Sequence, residues 1–60
     1  MNTVRTLLVD DNEAFLVLAR HLLASVPEIS VVGLGHDGYD AVRLAEELRP
    51  DLILMDLSMP

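Results

Sequence analysis

The sequence predicts an α/β fold: three parallel strands joined by two helices, β-α-β-α-β, with strand order 2-1-3. Three observations carry this. Short aliphatic runs rich in leucine, valine and isoleucine alternate with stretches of helical periodicity. The links between strands suit only crossovers, which makes the sheet parallel and the crossovers right-handed. The first and third runs are nearly continuous in apolar residues, as strands covered on both faces are. Two orders are open to such a chain: 3-2-1 puts both helices on one face, and 2-1-3 puts one on each. The continuous runs favour 2-1-3, with the first strand central.

Val4 to Val9 is the first strand, ending almost wholly apolar. Asp10, Asp11 and Asn12 break it, and all three suit a helix N-cap or first turn. From Glu13 to about Ser25 the spacing is helical. Phe15, Leu18, Ala19, Leu22 and Val26 share one face, while Leu16, Val17 and Leu23 lie off that stripe and give the helix an apolar surplus. Pro27 closes this segment, because the residue before a proline disfavours helix. Ile29 to Leu34 is the second strand, and Gly35 to Gly38 a turn with Asp37 as N-cap. The second helix runs from about Tyr39 to Leu48. Ala41, Leu44, Ala45 and Leu48 face inward, and Asp40, Arg43, Glu46 and Glu47 outward. Leu52 to Met55 is the third strand, read as buried, with Asp56 at its end.

Composition narrows the function. The 60 residues contain no cysteine and no lysine, and ten acids stand against four arginines for a net charge of -6. Disulfide scaffolds, thiol chemistry and cysteine zinc sites are excluded. P-loop and Schiff-base mechanisms need a lysine and fall with them. An acidic chain offers no basic stripe for nucleic acid. No apolar run reaches the roughly 18 residues of a membrane span. With no export signal either, the expected location is cytoplasmic. Yet 52% of the residues are hydrophobic, a core-rich composition in a chain short enough to bury only about 60% of its unfolded surface.

The acids are not scattered. Ligands of doubly wound sheets bind outside the carboxyl ends of the strands, where the crossovers diverge. In order 2-1-3 that point lies between strands one and three. Asp10 and Asp11 leave the first, and Asp56 leaves the third. Two carboxylates ~4 Å apart repel by about 4 kcal/mol at an effective dielectric near 20, so either some protonate or a cation neutralises them. Hard oxygen ligands suit Mg²⁺, and an aspartate beside such an ion can act as a nucleophile and form an aspartyl-phosphate. Singly, Asp10 and Asp11 read as cap acids and Asp56 as the start of a turn. Their combination makes the site. Neither histidine is promoted: His21 reads as a solvated helix residue, and His36 lacks a second histidine at metal spacing.

At these residues the sequence resembles the receiver domain of two-component response regulators. Leu7-Leu8-Val9-Asp10-Asp11-Asn12 is similar to that family's first strand and acidic pair. Leu52 to Pro60 is similar to its third strand, phosphoacceptor and following Met-Pro, and Gly38 to Val42 to the opening of its second helix. The resemblance implies the first half of a flavodoxin-like (CheY-like) doubly wound fold, a standard instance of the switch-point rule. It implies that Asp56 accepts phosphate from a histidine of a sensor kinase. Asp10, Asp11 and Asp56 then hold Mg²⁺, and Ser58 adds a main-chain carbonyl ligand. The receiver catalyses its own phosphotransfer and is not otherwise an enzyme. Pro27 to Gly33 and Leu44 to Asp56 most resemble the NarL/LuxR-type branch, whose output is a helix-turn-helix DNA-binding domain.

The resemblance also sets expectations for the chain as a whole. Receivers run to about twice this length, so residues 1–60 are expected to be the N-terminal half of one, cut after the third strand. The hydroxyl residue ending a fourth strand and the lysine ending a fifth have no counterpart here, so the isolated 60 residues are expected to be inactive. DNA would be reached only through an output domain outside this chain, and no membrane is involved. The rival expectation is a binding module: the apolar edge of strand three, or the surplus on helix one, would drive self-association. A haloacid dehalogenase-type phosphohydrolase is disfavoured, since Asp10-Asp11-Asn12 does not supply its Asp-x-Asp.

Overall fold

The computed structural model describes residues 3–56. The elements are β1 (Val4–Val9), α1 (Glu13–Leu23), β2 (Ile29–Gly35), α2 (Gly38–Leu48) and β3 (Leu52–Met55). The sheet is parallel with order β2-β1-β3, as expected. Thr6, Leu7, Leu8 and Val9 of β1 are buried, because a central strand is covered by both neighbours and both faces. Alternation divides the work. Leu7 and Val9 pack on Ala41 and Leu44 of α2, whereas Leu8 faces a groove with Leu16, Ala19 and Leu23 of α1. The helices therefore lie on opposite faces. Fully burying side chains of this size contributes about 1.5–3 kcal/mol each.

Both helix starts are capped from the sequence. Asn12 Oδ1 accepts from the Phe15 N–H at 3.1 Å, and Asp37 Oδ1 accepts from the Asp40 N–H at 2.8 Å. Asp40 does not simply face outward as expected. Its own carboxylate turns back to accept the His36 N–H at 3.0 Å, close to the reciprocal bonding of a capping box. α1 ends at Leu23 rather than Ser25. The Ser25 and Val26 amides bond back three residues to Leu22 and Leu23 at 3.3 and 3.0 Å, the tightening of a final 3₁₀-like turn. α2 ends on Arg49, whose left-handed backbone (φ 48°) directs its N–H to the Ala45 carbonyl, with Pro50 preventing continuation.

Two details of register were not expected. Thr6 pairs with Val31 but Leu7 pairs with Gly33, so Val32 forms a bulge in β2. A Cβ on Gly33 would stand 2.7 Å from the Leu48 side chain, so glycine there permits the close approach of α2. At the amino end of the sheet, the Asp51 N–H donates to the Arg5 carbonyl at 2.7 Å. The Arg5 N–H donates in return to Asp51 Oδ2 at 2.9 Å, and Arg5 Nη1 donates to the Arg49 carbonyl at 2.8 Å. This clamp sets the pairing of β3 on β1, Thr6 to Leu52 through Val9 to Met55.

Two further expectations are corrected. α1 is rotated from the expected stripe: Ala19 and Val26 of that stripe are half-buried, but Phe15, Leu18 and Leu22 are exposed, and Leu16, read as lying off it, is buried with Leu23 half-buried. Two parallel stripes, one residue apart, both satisfy the helical period, and periodicity alone cannot choose between them. Leu52 to Met55 of β3, read as buried, are instead 40–45% exposed. β3 pairs only with β1 among the described residues, and α1 and α2 lie over β1 and β2 rather than over it.

Candidate functional site

The acidic residues are placed by the backbone ladder. The Asp10 N–H donates to the Gly35 carbonyl at 3.1 Å, and the Asp56 N–H donates to the Val9 carbonyl at 3.2 Å. Parallel pairing thus runs one residue past the strands on both sides of β1 and sets Asp10 beside Asp56. Asp10 is nearly buried, at 9% exposure, and its Oδ1 accepts the Asn12 N–H at 2.8 Å. That bond folds the three-residue turn into α1 and leaves Asp11 on the exposed side. Asp10, Asp11 and Asp56 each present one carboxylate oxygen within 4.8 Å of the others. The convergence expected from topology is present.

The donor set fits a hard divalent cation. Ligands of an octahedral Mg²⁺ at about 2.1 Å stand about 3.0 or 4.2 Å apart, so small side-chain adjustments bring these three oxygens onto one ion. They are all carboxylate oxygens, the ligand type Mg²⁺ prefers to sulfur or imidazole. A cation there offsets the mutual repulsion of three acids on one sheet edge. Ser58, the fourth expected ligand, lies outside the described residues. Leu8, Leu16, Ala19 and Leu54 wall an apolar groove whose rim carries the three acids.

A second cluster adjoins the site and was not anticipated. His36 Nε2 lies 3.1 Å from Glu13 Oε2; a carboxylate can only accept, so the nitrogen donates. The other ring nitrogen is 3.6 Å from Asp40 Oδ2. The His36 N–H, which donates to the Asp40 carboxylate, does most to hold that carboxyl below the usual range; partial burial opposes it, and the Arg43 guanidinium adds to it. The sequence did carry a signal for this cluster: His36 follows β2 and Glu13 opens α1, so both belong to the carboxyl edge. His21 is exposed on α1, as expected. Among the described residues no helix is long and apolar enough to cross a membrane.

An open parallel sheet carrying three carboxylates at its topological switch point defines a doubly wound protein built around an acidic, cation-competent centre. The comparisons make the class specific. The family model described as the response regulator receiver domain matches residues 6–60, and the chain belongs to that family. It is 42% identical over 59 residues to the transcriptional regulatory protein DegU of Brevibacillus brevis, covering 98% of this chain and 25% of that protein. To the transcriptional regulatory protein LiaR of Bacillus subtilis it is 48% identical over 56 residues, 93% of this chain and 26% of the relative. The crystal structure of the response regulator domain of Thermotoga maritima CheB superposes with a TM-score of 0.91 at 41% identity, covering 98% of this chain and 44% of that one. The chain therefore spans about a quarter of the length of these two regulators. The receiver resemblance and the CheY-like strand order read from the sequence both hold.

Proposed function

We propose that this chain is the N-terminal half of a signalling receiver whose phosphoacceptor is Asp56. The observation that carries the reading is the convergence of Asp10, Asp11 and Asp56 within 4.8 Å in a chain of this family. Asp10 and Asp11 hold Mg²⁺ together with Asp56, and the Ser58 main-chain carbonyl is a further ligand. The ion supplies charge neutralisation for an incoming phosphoryl group. A carboxylate oxygen of Asp56 attacks phosphorus, the P–N bond of a sensor-kinase phosphohistidine breaks, and its electron pair leaves with the imidazole. Asp10, sequestered and bonded to the Asn12 N–H, keeps the acidic turn in place during the exchange. The phosphorylated receiver then controls an output domain in a longer cytoplasmic protein. DegU and LiaR are both transcriptional regulatory proteins by name, which supports a DNA-binding output of the NarL/LuxR type.

Labelling with radioactive acetyl phosphate in MgCl₂ tests the assignment. Any label that wild type takes up is acid-stable and base-labile, and Asp56→Asn takes up none. Equal labelling of the two chains sinks Asp56 as the acceptor. No label in either chain shows that the isolated residues 1–60 lack the activity, as expected of half a receiver.

A second reading is favoured by a specific observation: Leu52 to Met55 on β3 and Phe15, Leu18 and Leu22 on α1 are apolar and 40–60% exposed. Exposed apolar surface and open strand edges recruit partners. On this reading the 60 residues act as a self-associating module, and sedimentation equilibrium at high micromolar concentration resolves it. A monodisperse monomer excludes it.

A further inference from the structure

We propose that His36 is a positioning residue for the metal centre, acting through Glu13; this rests on the assignment of Asp10, Asp11 and Asp56 as the Mg²⁺ ligands. The turn carrying Asp10 and Asp11 is three residues long and is gripped on both sides by the last residue of β2 and the residue that follows it. On the strand side, the Asp10 N–H donates to the Gly35 carbonyl at 3.1 Å. On the helix side, Glu13 Oε2 accepts from Nε2 of His36, the next residue along, at 3.1 Å. His36 is itself anchored, because its N–H donates to Asp40 Oδ2 at 3.0 Å. Asp40 in turn is fixed by the N-cap of α2, through its own N–H to Asp37, and by Arg43 at 3.5 Å.

A continuous chain of polar contacts thus runs from α2, through His36, to the first residue of α1. It also determines where the next acid points. Glu13 follows the acidic turn directly, yet it is engaged by His36 and stands outside the three-carboxylate cluster. The tether holds the turn in the shape that presents Asp10 and Asp11.

The sign of one substitution separates positioning from simple charge. If His36 acted only as a nearby cation or neutral group, His36→Ala would leave Mg²⁺ binding unchanged or tighten it. As a positioning residue, its loss weakens binding by the 1.5- to 5-fold that an exposed pair can transmit, about 0.2–1 kcal/mol. Calorimetric titration of MgCl₂ into the 60-residue chain reads this. His36→Ala and Glu13→Ala each weaken binding, the double variant weakens it no further than the worse single, and His36→Gln, which keeps a donor near the Nε2 position, restores it. In the metal-free chain, exchange of the Asn12 amide, bonded to Asp10 Oδ1, is faster in His36→Ala and normal in His36→Gln. Unchanged or tighter binding in His36→Ala overturns the proposal, as do additive effects in the double variant or an unaltered Asn12 exchange rate. Asp10→Asn abolishes the titration whatever stands at position 36. If wild type itself does not titrate, the metal assignment fails, while the exchange measurement still decides the tether.

Discussion

Asp40 shows how one side chain can hold a loop. Its carboxylate accepts from the His36 N–H, and that bond is the main reason its carboxyl titrates below the usual range. A carboxyl whose native value is depressed stabilises the fold above the ordinary aspartate value, about 3.9. The contribution disappears as pH falls through the native value. Asp40→Asn is therefore expected to lower the urea midpoint at pH 7, with a smaller gap to wild type at pH 3. An equal gap at both pH values contradicts it. At this scale the sequence was partly legible. Asp37 as N-cap followed from an aspartate preceding glycine at a helix start, but the reversal of Asp40 did not. Nothing in the spacing of charges says that an outward position will turn back onto a loop amide.

Among the elements, α1 is the informative case. Its existence could be read from the helical period, but which of Asp10, Asp11 and Asn12 caps it could not, nor could its buried face, since Leu16 and Leu23 lie one residue along from Phe15 and Leu22 at the same spacing. The approach of the chain through the Asp10–Asn12 turn selects the Leu16 face. Leu16, 1% exposed, is the anchor. Leu16→Ala should cost about 2–5 kcal/mol, comparable with the roughly 3–9 kcal/mol that a chain of this size has in total. Phe15→Ala, Leu18→Ala and Leu22→Ala should each cost less than about 1 kcal/mol. Denaturant midpoints across the four variants check the face; a larger loss at Leu18 than at Leu16 reverses it. β3 teaches a related lesson. Its continuous apolar run suggests burial on both faces, but a run of leucine, isoleucine and methionine reports what a strand can bury, and its neighbours decide how much is covered.

Over the whole molecule, topology turns separate acids into a site. Asp10, Asp11, Glu13, Asp37, Asp40 and Asp56 all lie at the carboxyl edge of the sheet, in a chain of net charge -6. Like charges so concentrated make the fold responsive to a divalent cation. At a hundred times its dissociation constant, a ligand that binds only the folded state adds about 2.7 kcal/mol, and each kcal/mol raises Tm by about 4–8 °C in a domain this small. Saturating MgCl₂ should thus raise Tm by more than about 10 °C, and EDTA should reverse the rise. Asp10→Asn or Asp56→Asn should abolish it, and a matched ionic strength of NaCl should not reproduce it. A rise of the same size in NaCl would mean general screening and no specific site.

By itself the sequence determined the order of elements, the parallel sheet with β1 at its centre, and the convergence of Asp10, Asp11 and Asp56. These follow from apolar runs, from right-handed crossovers, and from the rule that parallel strands place their carboxyl ends together. Only the tertiary structure decided which stripe of α1 is buried, where the Val32 bulge falls, how far β3 is covered, and that His36 reaches Glu13. Each of these depends on how one element meets another in space. The pattern within a segment limits such meetings without choosing among them, and here the choice was made by a few hydrogen bonds at the ends of the strands.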